Sequence, residues 1–203
     1  MKGETNQKTI ENATLELLNT KSIENLSITE IAKHAFISRV TFYSYFENKY
    51  EVVASIEAEF LKGIKELQNV NTSFLFNVDM ESVTAIKEVL YQNSLDIITY
   101  YYQKRTIIEV LMSENSGIEF IDNLYNLYYN HFIKALPDLF YFKFSNESLK
   151  FYTTFMTKGV AAIVEEWFST GFKQSISFIT DSILNMLAMS LKNLYCDYKK
   201  NGN

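Results

Sequence analysis

Turn chemistry is scarce in this chain: of 203 residues one is proline and six are glycine, too few for the many tight turns of a β-rich fold. With 47% of residues apolar and 15% aromatic, the expectation is an all-α protein with a sizeable core. A single cysteine, Cys196, excludes an intramolecular disulfide. Two histidines far apart, no glycine-rich phosphate loop and no clustered metal ligands leave no catalytic constellation, so neither an enzyme nor a cofactor is expected. No apolar run reaches the roughly 18 residues of a membrane span, and no charged-then-apolar leader opens the chain. A soluble, cytoplasmic protein without membrane contact is expected.

Arginine is also rare, with only Arg39 and Arg105 present. The net charge of −5 argues against a general polyanion binder, because phosphate attraction supplies most non-specific affinity. Its distribution changes that conclusion. Residues 1–49 carry six basic and six acidic groups, so the excess acid lies entirely beyond residue 49. A neutral head precedes an acidic body.

Ile10, Ala13, Leu17 and Leu18 recur at helical spacing and predict a helix over 6–19. After a connector at 20–26, Ser27-Ile28-Thr29-Glu30 has the form of a capping box opening a short helix over 28–34. Its apolar side is Ile28, Ile31, Ala32 and Ala35, whose alanines permit a close crossing. Ser38 is the N-cap of a third helix, with Val40, Phe42 and Phe46 apolar and Arg39, Thr41, Tyr43, Ser44 and Tyr45 facing outward. Two short helices joined by a tight turn resemble a helix-turn-helix. A connecting helix is predicted over 48–68 and a loop over 69–80. Body helices follow over 81–104, 106–114, 117–136, 146–170 and 175–198, broken at Ser116-Gly117, Pro137-Asp138 and Gly171. Residues 199–203 read as a frayed tail.

The run Ile31-Ala32, Ala35-Phe36-Ile37-Ser38-Arg39-Val40-Thr41-Phe42-Tyr43-Ser44-Tyr45-Phe46 and Lys49 resembles the signature of the tetracycline-repressor (TetR) family. Gly159 and Trp167-Phe168-Ser169-Thr170-Gly171 are similar to a subgroup that includes dihydroxyacetone-kinase regulators. The resemblance implies a DNA-binding domain at 1–49 and a helical effector-binding and dimerisation domain at 50–203, with 50–68 as connector. It further implies a homodimer on an inverted-repeat, double-stranded operator, a small-molecule effector, and most often repression. An activator of the same family, or a helical interaction module with a degenerate helix-turn-helix, is the alternative. Phe36 departs from the pattern, since the family commonly has glycine there. A phenylalanine at positive φ is strained, so either the turn keeps φ negative or some stability is lost, which packing of the ring would offset.

A recognition helix meets base edges with its first residues, while flanking groups meet phosphates. Arg39 has the planar fork that bonds guanine O6 and N7 together; the alternative is contact with phosphate or solvent alone. Thr41 can offer a hydroxyl to a base or a methyl to thymine. The resemblance makes Tyr43 a phosphate ligand and lets Ser44 and Tyr45 vary with the operator. Lys49, at the start of the connecting helix, can hold a phosphate together with that helix's positive end. Ser27, Thr29, Lys33 and Ser38 complete the expected backbone contacts, with His34 a surface or capping residue.

The family resemblance places dimer contacts on the last two helices. In the last, Ile176, Ile179, Ile183, Leu184, Leu187, Leu191 and Leu194 cover more than one face, which predicts interface as well as core. The middle helices are rich in rings, and Tyr101, Tyr125, Tyr128, His131, Phe155 and Trp167 are candidates for an effector pocket, with ordinary core packing as the alternative.

Overall fold

The computed structural model describes residues 2–68, 78–140 and 146–201, and every regular element among them is helical. In chain order these are α1 (Lys2–Leu18), a 3-10 turn (Ile23–Asn25), α2 (Ile28–His34), α3 (Arg39–Tyr43), α4 (Lys49–Gln68), α5 (Val83–Gln103), α6 (Arg105–Met112), a second 3-10 turn (Glu114–Ser116), α7 (Phe120–Phe140), α8 (Asn146–Ser169) and α9 (Ile176–Asn201). They form two compact units. One comprises Met1–Gly63 with Thr106–Phe120, the other Ile64–Arg105 with Ile121–Asn203.

In the first unit, the α1 stripe supplies Ile10, Ala13 and Leu18 to a core that also takes Ile31, Ala32, Phe42, Phe46, Val52, Val53 and Phe60. Full burial of each large apolar side chain favours the folded state by about 1.5–3 kcal/mol. The connector at 20–26 does more than connect, because its 3-10 turn buries Ile23 and is followed by buried Leu26. Glu11 is only 2% exposed; its Oε1 accepts hydrogen bonds from Ser55 Oγ at 2.8 Å and Gln7 Nε2 at 3.1 Å, partners that a buried carboxylate requires. The break at Gly117 has a positive φ of 69°, and a Cβ there would lie 2.9 Å from Ile23 Cγ2, so both backbone and space demand glycine.

In the second unit, α5 packs along α9 and α8 packs on α9. Ile86, Ile97, Ile98, Val164, Ile179, Ile183, Leu184, Leu187, Leu191 and Leu194 are all buried within the single chain. For α9 this narrows the expectation: six of the seven aliphatic residues are core, Ile176 is half-buried, and among the described residues the large apolar side chains that α9 exposes are Phe178, Met186 and Met189. Buried Thr153, Thr157 and Thr180 donate their hydroxyls to the carbonyls of Leu149, Thr153 and Ile176, four residues back, so none is left unpaired.

Helix ends follow local chemistry. Ser82 Oγ accepts from Ala85 N at 3.2 Å and caps α5, which moves its start from the expected 81 to Val83. Pro137 does not end α7, which runs on to Phe140. The backbone of α9 is helical to Asn201, beyond the start of the expected tail at 199. Of the loop expected at 69–80, residues 69–77 lie outside the described residues. No helix among the described residues is long and apolar enough to cross a membrane.

Candidate nucleic-acid interface

Helix α2 opens with a complete capping box. Ser27 Oγ accepts from Glu30 N, and Glu30 Oε2 accepts from Ser27 N at 2.8 Å. Hydrogen bonds from Lys21 and from Ser27 hold the Glu30 carboxyl down to about 2. Ile31 and Ala32 point into the core while Thr29, Lys33 and His34 stay exposed. His34 Nε2 lies 2.6 Å from Glu16 Oε2, which gives it the surface role expected of it. Ile28, expected to be buried, is half-buried.

The turn out of α2 is a Schellman motif: Ile37 N donates to Ala32 O at 2.9 Å and Phe36 N to Lys33 O at 3.2 Å. This motif needs a left-handed residue, and Phe36 supplies it with φ 54°. The strained alternative holds, without the offset from packing. The turn does not keep φ negative, and the ring does not pack, because Phe36 is 96% exposed.

Ser38 caps α3, its Oγ accepting from Thr41 N at 3.0 Å and lying 2.9 Å from Thr41 Oγ1. Phe42 is fully buried and Phe46 nearly so. That anchorage leaves Arg39, Tyr43 and Ser44 exposed, with Thr41 and Tyr45 half-buried. The Arg39 guanidinium stands 5.9 Å from the centre of the Tyr43 ring and is in no ion pair among the described residues. Ser44 Oγ donates to Thr41 O at 2.6 Å. The hydroxyls of Ser27, Ser38 and Ser44 therefore already hold local structure. Val40, grouped with the apolar residues at the sequence level, does not join the core: it is 81% exposed.

Lys49 opens α4, and its ammonium donates to Glu24 O at 2.7 Å and Leu26 O at 2.9 Å. It thus fastens the carbonyl end of the first 3-10 turn, and one of its three donors remains. Tyr50 beside it is half exposed, its ring centre 5.3 Å from the same ammonium. Exposure alone marks Phe36, Val40 and Tyr50 as surface groups here, and nothing in the apolar pattern separates them from core residues.

The candidate effector residues, all in the second unit, differ in burial. Tyr101 and Tyr128 are buried with their hydroxyls hydrogen-bonded to each other, and burial raises the pKa of both. His131 is half-buried, and burial lowers its pKa, favouring the neutral ring. Tyr125 is half-buried under the Lys158 ammonium, 3.8 Å from its ring centre. Trp167 is core: it packs 4.9 Å from Phe172, and its Nε1 donates to Gln174 O at 3.0 Å. Phe155 stands apart at 68% exposed.

Two family models match the chain. Residues 10–56 match the model for bacterial regulatory proteins of the tetR family, and residues 88–189 match the model for a transcriptional regulator C-terminal region. Among solved structures the chain is similar to the dihydroxyacetone kinase operon activator DhaS, with 21% identity over 92% of this chain and 96% of that one and a TM-score of 0.56. It is also similar to a transcriptional regulator of the TerR/AcrR family from Aquifex aeolicus VF5, with 17% identity, 91% and 98% coverage and a TM-score of 0.60. A third likeness is the fatty acid degradation regulator FadR from Bacillus halodurans, with 16% identity, 90% and 94% coverage and a TM-score of 0.55. At such identities the likeness is one of fold. A comparison with curated proteins finds no match.

Proposed function

This chain belongs to the TetR family of bacterial transcription regulators, and from that premise we propose that it binds an inverted-repeat operator as a homodimer and releases it when a small molecule binds its C-terminal part. Residues 1–49 are the reading head, 50–203 the sensing and dimerising body, and 50–68 the segment that couples them. The observation that carries the reading is α3, capped by Ser38 and anchored through Phe42, with Arg39 and Tyr43 left exposed and Arg39 in no ion pair among the described residues.

Arg39 and Thr41 are assigned to base edges; Tyr43, Ser44, Tyr45, Thr29, Lys33 and the remaining Lys49 donor to the backbone or flanking positions. Ser27 and Ser38 act mainly by holding the two helices at their starts. One head covers only part of an operator, so two are required, a helical turn or a multiple of it apart. Exposed Phe151 and Phe155 on α8, with Phe178, Met186 and Met189 on α9, supply an apolar surface for that pairing. The effector site is assigned to the α5–α7 side of the second unit, around the Tyr101–Tyr128 hydroxyl pair, Tyr125 and His131. An effector acts by its differential affinity for two body conformations.

Selection of bound duplexes from a random DNA library tests the reading. Recovery of an inverted repeat is expected, and recovery of no sequence would leave a helical interaction module with a degenerate helix-turn-helix. Activation in place of repression is a second reading, since one protein of similar fold is an operon activator; a reporter assay of the selected operator separates the two.

A further inference from the structure

We propose that Phe36 and Val40 form an apolar reader of thymine methyl groups, a specificity element of the operator contact assigned above and dependent on that assignment. Phe36 adopts a left-handed backbone, φ 54°, in a turn where glycine would be free of strain, yet 96% of the residue is exposed. Phe172 is the internal comparison. It shares the conformation, φ 57°, but is only 6% exposed, with its ring centre 4.9 Å from that of Trp167 and 5.2 Å from that of Phe168. Strain at Phe172 is offset inside the fold; strain at Phe36 has no intramolecular return, which points to a contact outside the chain.

Val40 lies four residues on, in the first turn of α3, and is 81% exposed. Its branched side chain is stiff about χ1, so it presents two methyls in one orientation. The company these residues keep selects the occupant. Lys33 precedes Phe36 by three residues and Arg39 adjoins Val40 in sequence, both exposed and in no ion pair among the described residues, and such cations suit a phosphate-lined groove better than an apolar protein surface. The one hydrocarbon group that base edges display in the major groove is the C5-methyl of thymine.

The test uses the full-length protein and a duplex that the wild type selects from a random library, resynthesised with deoxyuridine in place of single thymidines, which removes the methyl alone. Affinity of the wild type is expected to fall about fourfold for each contacted methyl. The Phe36→Gly, Val40→Ala double variant is expected to bind the thymidine duplex more weakly and to be insensitive to the same deoxyuridine changes. Both substitutions are at exposed positions, one relieving strain and the other favouring helix, and a thermal melt confirms folding. Deoxyuridine without effect on the wild type, or with equal effect on wild type and variant, overturns the inference while leaving the operator reading intact. A library that returns no sequence overturns both. A variant that changes only self-association in sedimentation assigns the two side chains to a protein contact and likewise overturns it.

Discussion

Phe36 and Phe172 place the same side chain in the same backbone region with opposite surroundings, so substitution should separate strain from packing. Phe36→Gly removes a left-handed penalty of roughly 1 kcal/mol or more and removes no buried contact. The protein is expected to be more stable by about 1 kcal/mol in denaturant titration. Phe172→Gly removes the same penalty but empties an aromatic cluster, and a net loss of about 2 kcal/mol or more is expected. Lys49 is a second case, a residue with a structural task that is also assigned to the proposed DNA contact. Lys49→Met keeps the stem and deletes the donors to Glu24 and Leu26 carbonyls, at a cost of about 1–3 kcal/mol. If the remaining donor also meets a phosphate, the salt dependence of DNA binding flattens by about one unit; an unchanged slope would make Lys49 structural alone.

At the level of elements, α2 depends on its first turn. Glu30 is held down to about 2 from its ordinary 4.5 by Lys21 and Ser27, so its stabilising contribution is fully present above about pH 4.5 and is lost as pH falls toward 2. Glu30→Gln is expected to flatten the acid limb of the stability profile in that window, read by circular dichroism at fixed denaturant, and Ser27→Ala to cost about 1 kcal/mol at neutral pH. The same capping logic made two helix starts legible from the sequence: Ser27 and Ser38 mark α2 and α3 where the chain itself begins them. Gly117 and Gly171 mark real breaks because each has positive φ. Less legible was what only tertiary packing decides. Nothing in the periodicity of α3 says that Phe42 is buried and Val40 exposed, since five residues cannot define a face. The aliphatic surplus of α9 is absorbed by α5 and α8 packing against it, and aromatic count alone could not distinguish exposed Phe155 from buried Trp167.

At the scale of the whole molecule, two questions govern function: whether two chains pair, and whether the paired heads read sequence. On α8, Phe155 is exposed, and a Cβ added at Gly159, one turn on, would meet nothing within 4 Å. A ring beside an open small residue suits a partner helix at close range. Phe155→Glu is therefore expected to shift the protein from dimer to monomer in sedimentation at micromolar concentration while leaving its melting temperature for the single chain nearly unchanged; a wild type that is already monomeric there would contradict the pairing. The proposed sequence reading is assigned to Arg39, one of only two arginines in the chain. The most direct measurement is the ratio of affinities for a selected duplex and its scrambled counterpart, taken across a salt series for wild type and Arg39→Ala. For Arg39→Ala the ratio is expected to fall by the factor equivalent to about 1–3 kcal/mol per half-site contacted while the affinity for scrambled DNA changes little; an undiminished ratio, or an equal loss on both duplexes, would contradict a base-reading Arg39.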